Sequence, residues 1–295
     1  MPGWHVRRRS EQRWTALVCL LPAVAIFGVF NIVPTIWAAR LALLDWNGMS
    51  DIAKAPFIWF DNYLRLCQAP EFWNSLVVTV EYSLGVTALG LITGLLLAMA
   101  LNRRMRGRVL YRVLYFTPEI ASTVAAGIVW YYLFLPNGLV NKFLHLFGIA
   151  GPSWLSSSVW ALPAIIVVGI WKRLGFNMVV YLAALQGLPV ELYEAAEIDG
   201  AGPWHKLIFL TIPLLKPTTL LLAIMSLIDA FQVFALPYTM TQGGPMGATE
   251  VMGLLIFREA RGLLHMGYAA AMSWVIFAFV FAATLLQWRV FGKED

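Results

Sequence analysis

Charge is what this chain has least of: only 13% of its 295 residues are Asp, Glu, Lys or Arg. A soluble domain carries about 25%, so water cannot coat this one on every side, and lipid is the natural replacement. Cysteine is nearly absent. Cys19 lies in the first apolar run and Cys67 in a polar segment, which argues against a disulfide framework or a cysteine metal centre. No Gly-x-x-x-x-Gly-Lys-Ser/Thr run occurs; Gly292-Lys293 is followed by Glu294 and lacks the upstream glycine. Neither a His/Cys cluster nor a nucleophile motif is present, so catalytic and metal residues are expected to be none. No small-residue cleavage site ends the first apolar run, which is expected to stay as a membrane anchor.

What is abundant is apolar: 60% of the residues are hydrophobic and the mean hydropathy is +0.72. A helix needs about 20 apolar residues to cross the hydrocarbon core. Six stretches qualify: Trp14–Trp37, Trp73–Leu101, Val113–Leu135, Val159–Leu182, Leu214–Leu236 and Met266–Val290. Pro22 and Pro34 interrupt the first, which packed membrane helices tolerate. Trp14, Trp37, Trp73 and Trp288 sit at edges, as in an interfacial aromatic belt.

The net charge of +5 is distributed in clusters that orient the chain rather than in a nucleic-acid-binding stripe. Arg7, Arg8, Arg9 and Arg13 precede the first stretch, and Arg103, Arg104, Arg106, Arg108 and Arg112 lie between the second and third. The other connectors are poorer: Arg40, Lys54 and Arg65 in one, Lys142 alone in the next. This alternation predicts that both termini are cytoplasmic. Residues 1–13 are then a cytoplasmic tail, 14–37 the first crossing, 73–290 a core of five crossings, and 291–295 a second cytoplasmic tail.

By parity the connector at 188–213 is cytoplasmic, yet it lacks a positive excess: Lys206 and Lys216 face Glu191, Glu194, Glu197 and Asp199. Its local physics predicts a helix–turn–helix. Pro189 suits a helix start, Glu191 favours the positive helix end, and Gly200 after Asp199 can take positive φ. Pro203 opens a second short helix, and Ala195 and Ala196 leave room for a partner.

At these residues the chain resembles a known family. Glu194-Ala195-Ala196, three residues, Gly200, nine residues, then Leu210-Thr211-Ile212-Pro213 match the spacing of the "EAA" loop of permeases in binding-protein-dependent ABC importers, with Leu210 and Ile212 as conservative departures. Phe60-Asp61-Asn62-Tyr63, Gly169-Ile170-Trp171-Lys172, Gly175-Phe176-Asn177-Met178 and Thr241-Gln242-Gly243-Gly244-Pro245 are similar to carbohydrate-uptake permeases, notably the maltose, multiple-sugar and glycerol-phosphate types. The resemblance implies an all-α membrane protein with six transmembrane helices and the type I ABC importer permease fold, multi-pass in a bacterial inner membrane. It implies Glu194, Ala195, Ala196, Asp199, Gly200 and Pro213 as a coupling loop that docks on an ATPase. It also implies as partners a second related permease, two ATP-binding subunits that hold the ATP and Mg, an extracytoplasmic solute-binding protein or lipoprotein, and membrane lipid. No nucleic acid and no cofactor on this chain are expected.

Ionisable residues inside spans are costly and usually face a cavity or one another. Lys172, Arg173, Phe176 and Asn177 in the fourth stretch, and Ser226, Asp229 and Gln232 in the fifth, form two stripes that are candidates for the substrate pathway. An aromatic surface with hydroxyl and amide groups suits a polyol. The alternative reading pairs Lys172 and Arg173 with Asp229 or Glu119 inside the bundle. A sharper one has Arg173 and Lys172 hold a glycerol phosphate or its diester, since a guanidinium grips phosphate bidentately. Rival classes are a self-sufficient secondary transporter, which predicts inverted repeats, and an intramembrane lipid enzyme. Neither accounts for the Glu194–Pro213 loop.

Overall fold

The computed structural model describes residues 18–103 and 105–291. The arginines at 7, 8, 9, 13 and 104, Trp14, and the two predicted tails (but for the backbone of Phe291) lie outside the described residues. Within them the chain is helical, with no strand and a single isolated bridge between Leu44 and Phe57. Four helices are long and apolar enough to cross a membrane: α1 (Val18–Leu41), α3 (Pro70–Asn102), α7 (Ala161–Gln186) and α13 (Met266–Phe291). Two bent pairs qualify jointly. These are α4 (Arg108–Ile120) with α5 (Thr123–Leu133), bent by 100°, and α9 (Pro203–Leu214) with α10 (Lys216–Phe231), bent by 64°. Shorter helices are α2 (Asp61–Gln68), α6 (Leu139–Leu146), α8 (Val190–Ile198), α11 (Ala235–Met240) and α12 (Met252–Phe257).

The predicted stretches thus differ from the helices in two places. The third is broken at Ala121, and the fifth begins earlier, at Pro203, and bends at Leu215. Proline explains both. Pro118 occupies the last turn of α4, while Pro213 and Pro217 flank Leu215; a proline lacks the N–H that would continue the ladder.

Two compact units divide the chain. The first comprises Met1–Leu66 and Glu259–Trp274. Among its described residues, α1 keeps its apolar side chains exposed, as a helix solvated by lipid does. The connector after it is fastened by Asn62, which donates to the carbonyls of Ala42 (2.9 Å) and Leu44 (3.1 Å). Arg65 lies 4.4 Å over the Tyr268 ring, a cation–π contact.

The second unit comprises Cys67–Arg258 and Val275–Asp295. Its spine is α3 packed along α7. Val78, Tyr82, Val86, Ile165 and Val168 form one buried cluster, and Ala98, Leu101, Met178, Tyr181 and Leu222 another. The two helices approach closely at Gly90 and Gly94, where a Cβ on Gly94 would stand 2.6 Å from the Asn177 Cβ. Asn177 is fully buried there and donates to the Gly90 carbonyl at 3.0 Å. It lies at the helix crossing, where the glycine exposes a carbonyl to its N–H, while its Oδ1 has no partner among the described residues.

Candidate functional site

Two regions carry the chemistry. The first is the knob formed by α8 and the start of α9. α8 ends in a Schellman turn: Ala201 N–H donates to Ala196 O (2.8 Å), Gly200 N–H to Glu197 O (3.0 Å), and Gly200 adopts φ +79°. A side chain at 200 would meet no neighbour, so glycine is required there for its backbone freedom alone. The turn points α9 back along α8, where the Tyr193 and Thr211 hydroxyls meet at 3.0 Å and Lys206 grips Glu197 at 2.6 Å. That hydrogen bond, with the lysine's charge, holds the Glu197 carboxyl below the usual carboxylate range.

The knob has two faces. Tyr193 and Ala196 turn inward and are half-buried, whereas Glu191, Glu194, Ala195 and Ile198, spaced three and four apart, stand exposed on one side. Asp199 and Gly200 continue that exposed side, and Pro213 lies at the root of the knob, next to the bend at Leu215. Ile198 is 87% exposed and Trp204 75%. Both are apolar groups left bare beside the acidic side chains of the same loop. Neither is among the candidate residues drawn from the sequence, where an isoleucine closing an otherwise polar helix face is the available signal.

The second region is a cavity of 480 Å³ between α3, α4, α7 and α10. Five of the seven expected pathway residues line it: Lys172, Arg173, Ser226, Asp229 and Gln232, joined by Glu119, Thr123 and Tyr82. Asn177 does not, for the reason given. Phe176 does not either; it packs against the second buried cluster with Arg173 4.5 Å over its ring.

Both cations of the cavity are already engaged. Arg173 contacts Asp229 at 2.7 Å and Glu119 at 3.7 Å. Lys172 donates to the carbonyls of Ala121 (2.7 Å) and Pro118 (3.2 Å), at the break between α4 and α5. The lysine thereby supplies a donor to the Ala121 carbonyl and a second one to that of Pro118, which also accepts from the Ala121 N–H at 3.3 Å. This role lay hidden in the sequence because it depends on where α4 breaks. The Ser226 hydroxyl is buried with no partner among the described residues, as are Nε and Nη2 of Arg173. The Asp229 side chain is 57% exposed and open to the cavity.

Membrane-length helices, a cavity that holds ion pairs and a helix–turn–helix knob on one connector are the build of a membrane permease. Residues 90–291 match the family described as "Binding-protein-dependent transport system inner membrane component", and the chain belongs to that family. It is an inner-membrane permease of a binding-protein-dependent ABC importer. Among curated relatives it is 34% identical to the trehalose/maltose transport system permease protein MalF of Thermococcus litoralis, over 96% of this chain and 94% of that one. It is 36% identical to the lactose transport system permease protein LacF of Rhizobium radiobacter, with 90% of each covered, and 32% identical to the sn-glycerol-3-phosphate transport system permease protein UgpA of Yersinia pestis, with 95% of each covered. A chain of a bacterial ABC transporter that imports the acidic polysaccharide alginate superposes with a TM-score of 0.80 at 25% identity, covering 97% of this chain and 99% of that chain.

Proposed function

We propose that this permease forms half of a translocation pathway for a polyhydroxy solute, a sugar rather than a phosphate ester, driven by ATP hydrolysis on a separate polypeptide. The exposed side of α8, from Glu191 and Glu194 to Ile198, docks on that ATPase and transmits its movement. Six crossings with both termini in the cytoplasm put the knob on the side where ATP is found. A second related permease closes the cavity, and a solute-binding protein delivers to the opposite face.

The observation that carries the coupling reading is the knob itself, rigid inside and bare outside. The sugar reading rests on the cavity's charges. Its two cations face two carboxylates and two backbone carbonyls, so no uncompensated positive charge waits for a phosphate. What remains without a partner is the Ser226 hydroxyl with Nε and Nη2 of Arg173, a guanidinium whose charge two carboxylates already balance; beside them Gln232, Thr123 and the open edge of Asp229 suit hydroxyl groups. The relatives' names span neutral sugars and a phosphate ester, so they leave the choice to the site.

Uptake into vesicles tests both parts. Transport is expected to require the ATPase and second permease, and transport by this polypeptide alone would end the coupling reading. For the solute, sugar uptake is expected to fall on Asp229→Ala and Ser226→Ala. Efficient uptake of a glycerophosphodiester that Arg173→Ala abolishes would reverse the choice. Reporter fusions at each connector check the six crossings.

A further inference from the structure

A second cavity, of 460 Å³, lies under the inner face of the knob, where α3 ends at Asn102 and α7 at Gln186. Its rim is basic. Arg103 and Lys206 line it and no carboxylate does. Lys206 is held by Glu197, whereas Arg103 forms no ion pair among the described residues. Arg103 opens a run in which Arg104, Arg106, Arg108 and Arg112 follow without one acidic residue, a concentration of positive charge that draws an anion. Asn102 and the Tyr193 and Thr211 hydroxyls add polar partners at the same rim. The inner wall, by contrast, is apolar, and it continues outward. Ile92, Leu96, Met99 and Arg103 recur at four, three and four residues along α3, a single stripe on which Ile92 and Leu96 are exposed. A charged group at the end of a crossing, with an aliphatic track leading away from it into the bilayer, has the layout of a phospholipid's partner.

We propose that this cavity binds the phosphate headgroup of an anionic glycerophospholipid, with Arg103 as its charged contact, the Asn102 amide beside it, and an acyl chain along Met99, Leu96 and Ile92. The bound lipid braces the inner face of α8 and α9 against the end of α3 and leaves the outer face of the knob free. Basic pockets between membrane helices near the bilayer surface are suited to such headgroups. The site requires only that the chain lies in a membrane, so it stands whichever partner the knob engages.

The test uses the intact assembled transporter in nanodiscs of phosphatidylcholine, with and without phosphatidylglycerol. Native mass spectrometry reads retained lipid, and hydrogen exchange reads the amides of residues 190–211. Phosphatidylglycerol is expected to stay bound and to slow that exchange about tenfold, the protection given by a ligand at about ten times its Kd. Arg103→Gln is expected to lose both effects and Arg106→Gln, away from the cavity, to keep them. Should Arg103→Gln fail to assemble, Met99→Gln removes part of the acyl track and leaves the charge; it too should release the lipid. Glycerol phosphate added to plain phosphatidylcholine discs separates the two sources of phosphate. Equal protection by that soluble anion overturns the lipid assignment, as does indifference to phosphatidylglycerol or retention of the lipid by Arg103→Gln.

Discussion

The knob and the cavity use charged residues in opposite ways. In the knob a contiguous stretch of chain folds on itself, its ion pair of Lys206 and Glu197 lies at the surface, and its carboxylates Glu191 and Glu194 point away from the protein. In the cavity the charges come from α4, α7 and α10, and each leans on a group from another helix. The lesson is that the knob can lose a side chain without loosening the fold, whereas the cavity cannot. Exposed ion pairs contribute about 0–1 kcal/mol; a charged donor to backbone carbonyls at a helix break contributes about 1.5 kcal/mol or more.

That contrast can be broken by substitution. The largest functional effect is expected from Glu194→Lys, which should reduce transport to background while the assembled complex melts as the wild type does; normal transport by a stable complex would refute docking through this face. Lys172→Met should do the reverse. Removing the charged donor from the Ala121 carbonyl is expected to cost about 1.5 kcal/mol, seen as a lowered melting temperature, with Lys172→Arg recovering part of it. Asn177→Ala removes one buried hydrogen bond and should cost about 1 kcal/mol while leaving the KM for solute where it was. A changed KM would return that residue to the pathway.

The smallest effect sharpens the comparison from the knob's side. The Glu197 carboxyl is held low by Lys206, so its contribution is present above the ordinary carboxylate pKa of about 4.3 and is lost as the pH falls through the lowered value. Hydrogen exchange at residues 194–201, corrected for intrinsic rates, should therefore be steady near neutrality and quicken only in acid. In Glu197→Gln that step should vanish.

How much of this could be read beforehand follows from the same contrast. The knob was legible because its parts are neighbours in the chain: Pro189, Gly200 and Pro203 set its turns by local backbone geometry, and the Glu194-to-Pro213 spacing marked its kind. The long helices were legible from apolar length. The breaks at Ala121 and Leu215 were not, since packed helices tolerate prolines and only their packing shows which ones bend. For Arg173 the pairing with Asp229 or Glu119 was one of two readings, and only the packing of α4, α7 and α10 chose it; the partners of Lys172 were hidden because they depend on where α4 ends.

By itself, then, the sequence determined that the chain lives in a bilayer and carries a helical projection between two of its apolar stretches, because hydropathy and turn chemistry act over a few residues. Tertiary structure alone decided which polar groups remain open to the cavity. A charge held among helices is defined by what faces it, and what faces Lys172 and Arg173 comes from the break after α4, from Glu119 of α4 and from Asp229 of α10.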